Sequence, residues 1–205
     1  MRRLLASLLL LGAAWGGAEA WQTVKVPSGG GAIMVDGFLD AAEWAGAKEV
    51  EIEGGIRLLV KQRAGEVHLG FRMDSPTPRP VDVYLIPADG GIHQIHASMA
   101  TGERLLPGTP WSDEAVPWQW HTHPDWTAND AEFDTGKPRD LPFKERLVPY
   151  EGVEFQIRRS RFAGREWRVM TEVGDFVDSS VRLVYPAGAT RDDVSGWAVF
   201  VLEDA

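Results

Sequence analysis

Cysteine is absent from all 205 residues. That excludes disulfide staples, a thiolate nucleophile, cysteine-ligated zinc, iron–sulfur clusters and a lipid-modified cysteine anchor. Positive charge is scarce: 21 Lys and Arg stand against 30 Asp and Glu, a net −9. Non-specific contact with DNA, RNA or an anionic bilayer needs clustered cations, so nucleic acid is not an expected partner. After the N-terminal leader-like stretch, no apolar run approaches the roughly 20 residues a helix needs to cross a bilayer, and no membrane insertion of the mature chain is expected. Gly-x-Ser-x-Gly, Walker and His-Glu-x-x-His patterns are also missing. Glu103 with Asp113 or Glu114 is the carboxylate pairing available for glycoside hydrolysis, but nothing in the sequence fixes their separation, so no catalytic constellation is assigned.

The chain opens in the manner of an exported protein. Met1-Arg2-Arg3 is a short basic start, Leu4 to Ala14 is an apolar stretch of signal-peptide length, and Ala18-Glu19-Ala20 has the small-x-small form of a cleavage site. Residues 1–20 are therefore expected to be a signal peptide, with 21–205 a single exported domain in a periplasm or outside the cell. Being 44% hydrophobic and 25% charged, the chain is globular, and it is long enough to bury a core without cross-links.

Alternation of period two runs through most of the sequence. Val50 and Ile52 alternate with Glu49, Glu51 and Glu53, and Ile56, Leu58 and Val60 follow the turn residues Gly54-Gly55. Val67, Leu69, Phe71 and Met73 face one way, with Glu66, His68 and Arg72 facing the other; Val81, Val83 and Leu85 continue until Pro87. Later, Val153, Phe155 and Ile157 alternate with Glu154, Gln156 and Arg158. Trp167, Val169, Thr171 and Val173 read as the return strand after a turn at Phe162-Ala163-Gly164-Arg165. Val181, Leu183 and Tyr185, then Trp197 to Leu202, supply two more strands. Each offers one face to a core and one to water, which predicts an all-β fold, an antiparallel two-sheet β-sandwich of jelly-roll type. Arg158, Arg159, Arg161, Arg165 and Arg168, interleaved with Glu154 and Glu166, are expected on solvated, salt-bridged strand faces.

Two segments depart from this pattern. Leu39-Asp40-Ala41-Ala42-Glu43-Trp44 sets Asp40 and Glu43 as a capping box and Leu39 and Trp44 as a hydrophobic staple, which predicts one short helix pressing Trp44 onto the sandwich. Ala100 to Glu151 carries prolines from Pro107 to Pro149 and little alternation, yet holds Trp111, Trp118, Trp120 and Trp126. A long irregular insertion is predicted there, ordered by its tryptophans and lying over one end or face.

The run Ile33-Met34-Val35-Asp36-Gly37-Phe38-Leu39-Asp40-Ala41-Ala42-Glu43-Trp44 resembles the opening of the family-nine carbohydrate-binding modules and of the wider DOMON-like superfamily. There a strand leads to Asp-Gly and then to an acidic turn ending in Glu-Trp. The hairpin that follows and the late strands around Phe155 and Trp167 are similar in outline. The resemblance implies a β-sandwich with a ligand site on one face or rim; known members bind sugars, often with structural calcium, or carry haem. The stretch from Ile92 to Trp126 does not follow the sugar-binding members' pattern, so no ligand residue is carried over.

Several chemistries remain open on these residues. Trp111, Trp118, Trp120 and Trp126 suit stacking against the C–H face of a sugar, with Asp113, Gln119, Asn129 and Asp130 as polar contacts; they equally suit pinning the insertion to the sandwich. On a strand, Trp118 and Trp120 share a face. His121 and His123 sit on one side of an extended strand at a spacing that suits two ligands of one metal, with His96 or Asp125 as a third, whereas His93 and His96 point to opposite faces. Met73 and Met99 are available as haem ligands, and Asp36, Asp40, Glu43 and Asp192-Asp193 as calcium ligands, each set also explicable by packing or capping. The reading that draws these together is an exported, non-catalytic binding domain with a carbohydrate or related polar ligand. A metal- or haem-binding periplasmic protein and a purely structural or partner-binding domain are the alternatives.

Overall fold

The computed structural model of the protein describes residues 22–73, 77–108, 116–120 and 123–203. The expected signal peptide, Trp111, Asp113, Glu114 and His121 lie outside those residues. The described chain is an all-β sandwich of two facing sheets. The larger sheet orders β1 (Thr23–Val26), β13 (Ala198–Leu202), β11 (Glu166–Val173), β5 (Val81–Ile86), β6 (Ile92–Ala97), β7 (Thr101–Leu106) and β8 (Gln119–Trp120), with β12 (Leu183–Tyr185) also paired to β11. The smaller sheet orders β2 (Lys48–Ile52), β3 (Ile56–Arg63), β4 (Glu66–Arg72), β10 (Gly152–Arg158) and β9 (Trp126–Ala128). Pairing is antiparallel throughout except for β1, which lies parallel to β13.

The alternating residues meet where the pattern placed them. Ile56, Leu58 and Val60 of β3, Val67, Leu69 and Phe71 of β4, and Val153, Phe155 and Ile157 of β10 face Val81, Val83 and Leu85 of β5 and Trp167, Val169 and Val173 of β11 in one continuous core. Each such buried side chain contributes roughly 1.5–3 kcal/mol. The chain does not return on itself after β10, however. β10 belongs to the smaller sheet and β11 to the larger, so the turn read at 162–165 is a crossover between layers, and Phe162 is plugged into the core at 2% exposure. Alternation reports which face is greasy and carries no information on which neighbour a strand chooses.

The insertion begins later than the sequence suggests, because Thr101–Leu106 is a regular strand. Its polarity is inverted: register with Ile95 turns Glu103 inward, while Arg104 is buried on the outer face and Leu105 is exposed at the rim. Such a strand carries no readable period.

Both outer faces are partly roofed. Over the smaller sheet, Leu39 and Trp44 pack on Leu59. The predicted short helix is a single hydrogen-bonded turn over residues 41–46, in which Trp44 N–H donates to the Asp40 carbonyl four residues back at 3.0 Å. Glu43 does not cap it; its carboxylate accepts from the Met34 N–H at 3.2 Å instead. The anchor of this roof is Glu154, expected on a solvated face and found fully buried. One of its oxygens accepts from the Gly37 and Asp36 N–H groups at 2.9 and 3.1 Å, and the other from Trp44 Nε1 at 2.9 Å. Burial, opposed by these donors, leaves its pKa above the ordinary value. Gly37 sits at φ +84° against the Tyr150 ring, a conformation and a space that only glycine meets without strain. Lys61, 1% exposed, donates to the carbonyls of Gly31 and Glu43 and closes the other edge of the roof. Over the larger sheet, Trp197 covers Tyr84 and Met170 and donates its Nε1 to the Thr190 carbonyl at 2.9 Å. Among the described residues no helix is long and apolar enough to cross a membrane.

Candidate functional site

Register across the larger sheet lines up its outward residues in two rows. One runs Glu172, Asp82, His96, Gly102, Trp120; the other runs Met170, Tyr84, Gln94, Arg104. The absence of a side chain at Gly102 matters here. A Cβ at that position would stand 2.6 Å from Cε3 of Trp120 and 3.2 Å from Cε3 of Trp118, so the two indoles lie in the gap that glycine leaves. They stack on each other with centroids 5.1 Å apart and planes 26° apart. The Arg104 guanidinium lies 4.3 Å from the Trp118 ring centroid, and the His96 ring lies 5.5 and 5.9 Å from Trp118 and Trp120. Trp120, on the edge strand, remains 42% exposed.

Hydrogen bonds wire the rows together. Arg104 Nε donates to Gln94 Oε1 at 2.7 Å, and Gln94 Nε2 donates to Asp82 Oδ1 at 2.7 Å and to the Tyr84 hydroxyl at 2.9 Å. The Tyr84 hydroxyl reaches Glu172 at 3.4 Å, and Arg191 clamps Glu172 with contacts of 3.0 and 2.6 Å. His96 Nδ1 lies 3.0 Å from Asp82 Oδ1 and Nε2 lies 2.8 Å from Ser98 Oγ. A carboxylate can only accept, so Nδ1 carries a proton, and the Ser98 hydroxyl, which also lies 3.4 Å from the Ala100 carbonyl, holds the other ring nitrogen. Satisfied networks of this kind hold their members in one geometry. Next to this row Asp130 has a buried Oδ1 with no hydrogen-bond partner; burial and Glu132 push its pKa up against a lowering influence from His96. An acceptor sealed without a donor is an unmet demand.

The other sequence candidates fall elsewhere. Trp126 does not present its ring to a ligand: it is a core residue, 4% exposed, stacked on His123 at 4.7 Å. His123 faces the interior near Glu103, on the opposite side of the larger sheet from His96, so those two do not share one metal. Among the described residues no three His, Asp or Glu side chains form a metal-holding group. Met73 packs in the core and Met99 is 38% exposed at the β6–β7 turn. Asp36 and Asp193 cap local backbone, accepting from Phe38 N–H and Ser195 N–H. Asn129 is bonded to the backbone of Glu154 and Gly152. His68, pushed down to about 4 by burial and by Lys61 and Arg63, is sealed with its Nδ1 unpartnered, which suits a neutral ring.

Reading from the sequence missed the centre that ties the layers together. Glu103 accepts from Trp126 Nε1 at 2.8 Å and from Arg161 at 2.6 Å, with His93 Nδ1 and His123 Nδ1 each 3.5 Å from its oxygens. Burial works to raise its pKa, but the contacts with His93, Trp126 and Arg161 win and hold it at about 2. A carboxyl so firmly ionised is a poor proton carrier near neutrality. Glu103 is a strut between sheets; the sequence singles it out only as a candidate partner of Asp113 or Glu114, which lie outside the described residues, and gives no sign of Trp126, Arg161 or the histidines as its neighbours. Comparisons with family models, with curated proteins and with solved structures found no match.

Proposed function

We propose that this protein is a non-catalytic binding domain that takes a polyhydroxylated, carbohydrate-like ligand at the Trp118–Trp120 edge of its larger sheet. The observation that carries the reading is the exposed indole of Trp120, backed by Trp118 and Arg104 beside a hydrogen-bonded polar row. A sugar ring lays its C–H face on the open part of the Trp120 indole, and its hydroxyls address the polar edge at His96 and Ser98. The resemblance to family-nine carbohydrate-binding modules points the same way. The stacked rather than coplanar indoles imply one sugar-sized platform, not an extended strip. The reading includes export, with the mature chain beginning at Trp21.

A glycan array probed with material recovered from outside the cytoplasm tests both parts, with the N-terminus of that material read by mass spectrometry. Wild type is expected to retain at least one glycan class. Trp120→Ala is expected to weaken that binding by about tenfold or more, from loss of roughly 1.5 kcal/mol of stacking, with the melting temperature barely changed. Retention unchanged in Trp120→Ala, or no glycan bound by wild type, would falsify the ligand assignment. Recovered protein that still carries residues 1–20 would remove the cleavage after Ala20, and absence of the protein from outside the cytoplasm would remove the export claim.

A further inference from the structure

The segment between β9 and β10 folds back on itself through a bridge between Phe133 and Leu147, and a cleft of about 380 Å³ opens in its bend. Phe133, Asp134, Lys137, Arg139 and Arg146 line it. In a chain of net charge −9, three cations beside one carboxylate is a local reversal of sign. The carboxylate is already engaged: Asp134 Oδ1 accepts from the Gly136 N–H at 2.9 Å, and its other oxygen lies 3.9 Å from Lys137 Nζ.

Arg146 is the informative member. Its guanidinium carbon lies 4.8 Å from the Phe133 centroid and 6.0 Å from that of Phe143, and its Nε is buried with no hydrogen-bond partner. Neither Arg146 nor Arg139 forms an ion pair with another described residue. A guanidinium packed against an aromatic ring has given up part of its water and rotational freedom in advance, which favours planar, two-pronged recognition of an oxyanion. Phe133, 43% exposed, offers an apolar surface beside that charge. Such a cleft lies near the small end of ligand sites.

We infer that this cleft binds a small organic anion, a carboxylate or phosphate head held by Arg146, Arg139 and Lys137 with an apolar body against Phe133. The overall negative charge disfavours a polyanionic surface or strand as the occupant and leaves a small molecule. The site is separate from the tryptophan edge and stands or falls without it.

Calorimetric titration of the full chain at low salt with benzoate, phenyl phosphate and inorganic phosphate tests the inference. Saturable binding of at least one aryl anion is expected, weakening with added salt. Arg139→Gln, on an exposed side chain, should reduce it roughly fivefold, and Arg146→Gln roughly tenfold or more. Arg146→Lys keeps the charge and loses the planar fork; a loss comparable to Arg146→Gln supports two-pronged recognition even if the Gln variant loosens the Phe133–Phe143 contact. Preference between benzoate and phenyl phosphate identifies the head group, and inorganic phosphate alone isolates it from the ring. Trp120→Ala should leave the titration unchanged. Absence of saturable binding in wild type, or binding indifferent to both Arg139→Gln and Arg146→Gln, overturns the inference.

Discussion

Glu154→Ala is expected to cost about 3–5 kcal/mol, a large share of the stability of a domain this size. The alanine leaves the Gly37 N–H, the Asp36 N–H and the Trp44 Nε1–H without their acceptor beneath the roof of the smaller sheet. Each unsatisfied buried donor costs roughly 1–3 kcal/mol, and the three are not independent because one segment carries them all. Glu154→Gln separates the bonds. Its carbonyl oxygen can still serve the Gly37–Asp36 pair, which shares one oxygen in the native structure, but its amide then meets Trp44 donor to donor. About 1–2 kcal/mol is expected for that variant. Urea denaturation gives the stabilities, and faster hydrogen exchange at the Asp36 and Gly37 amides reports the roof lifting. A midpoint for Glu154→Ala within experimental error of wild type would show that Leu39 and Trp44 hold the roof by packing alone.

Glu103→Ala is expected to be comparably severe, about 3–5 kcal/mol, because it strands the Arg161 guanidinium and the Trp126 indole N–H between the sheets. Its distinctive signature is in acid. The carboxyl ionises at about 2 in the folded chain against 4.5 ordinarily. The contribution from this depressed pKa is fully present above 4.5 and disappears as the pH falls through about 2. His68, held at about 4 against 6.5, behaves likewise one window higher: its contribution is complete above 6.5 and is lost as the pH falls through about 4. Glu154 runs the other way, since a raised carboxyl pKa favours the fold on acidification. Melting temperatures taken from pH 7 to pH 2 should therefore fall in wild type, with Glu103→Gln flattening only the stretch below 4.5. An unaltered slope there in Glu103→Gln would mean that Arg161 and Trp126 do not set the ionisation of Glu103.

The sandwich was legible because its strands obey a rule visible in one dimension: Val67, Leu69 and Phe71 must share a face, and that face must leave water. What escaped notice depends on pairing in space. In sequence Glu154 looks like an ordinary surface acid and Glu103 like a carboxylate open to pairing with Asp113 or Glu114, and only the partners brought from Trp126, Arg161, Gly37 and Trp44 make burial tolerable. Of the tryptophans proposed as one ligand surface, Trp118 and Trp120 do meet, because Gly102 lies opposite Trp120 across the strands; Trp126 is drawn inward by the carboxylate it bonds. The separation of His96 from His123 follows from strand faces, which the numbering alone does not connect. The capping pattern at Asp40 and Glu43 marked the right place for a turn, and competition from the Met34 N–H for the Glu43 side chain decided its form.

The parallel seam of β1 with β13 bears on how the molecule is made. Among the described residues Thr23–Val26 finds its strand neighbour in Ala198–Leu202, nearly the whole described chain away. As the chain folds, this first described strand waits for its partner until the last described strand is present, and the zipper closes only when that distant mate arrives. Assembly of this edge is thus a late, long-loop event, slow by topology however strong the finished contacts are.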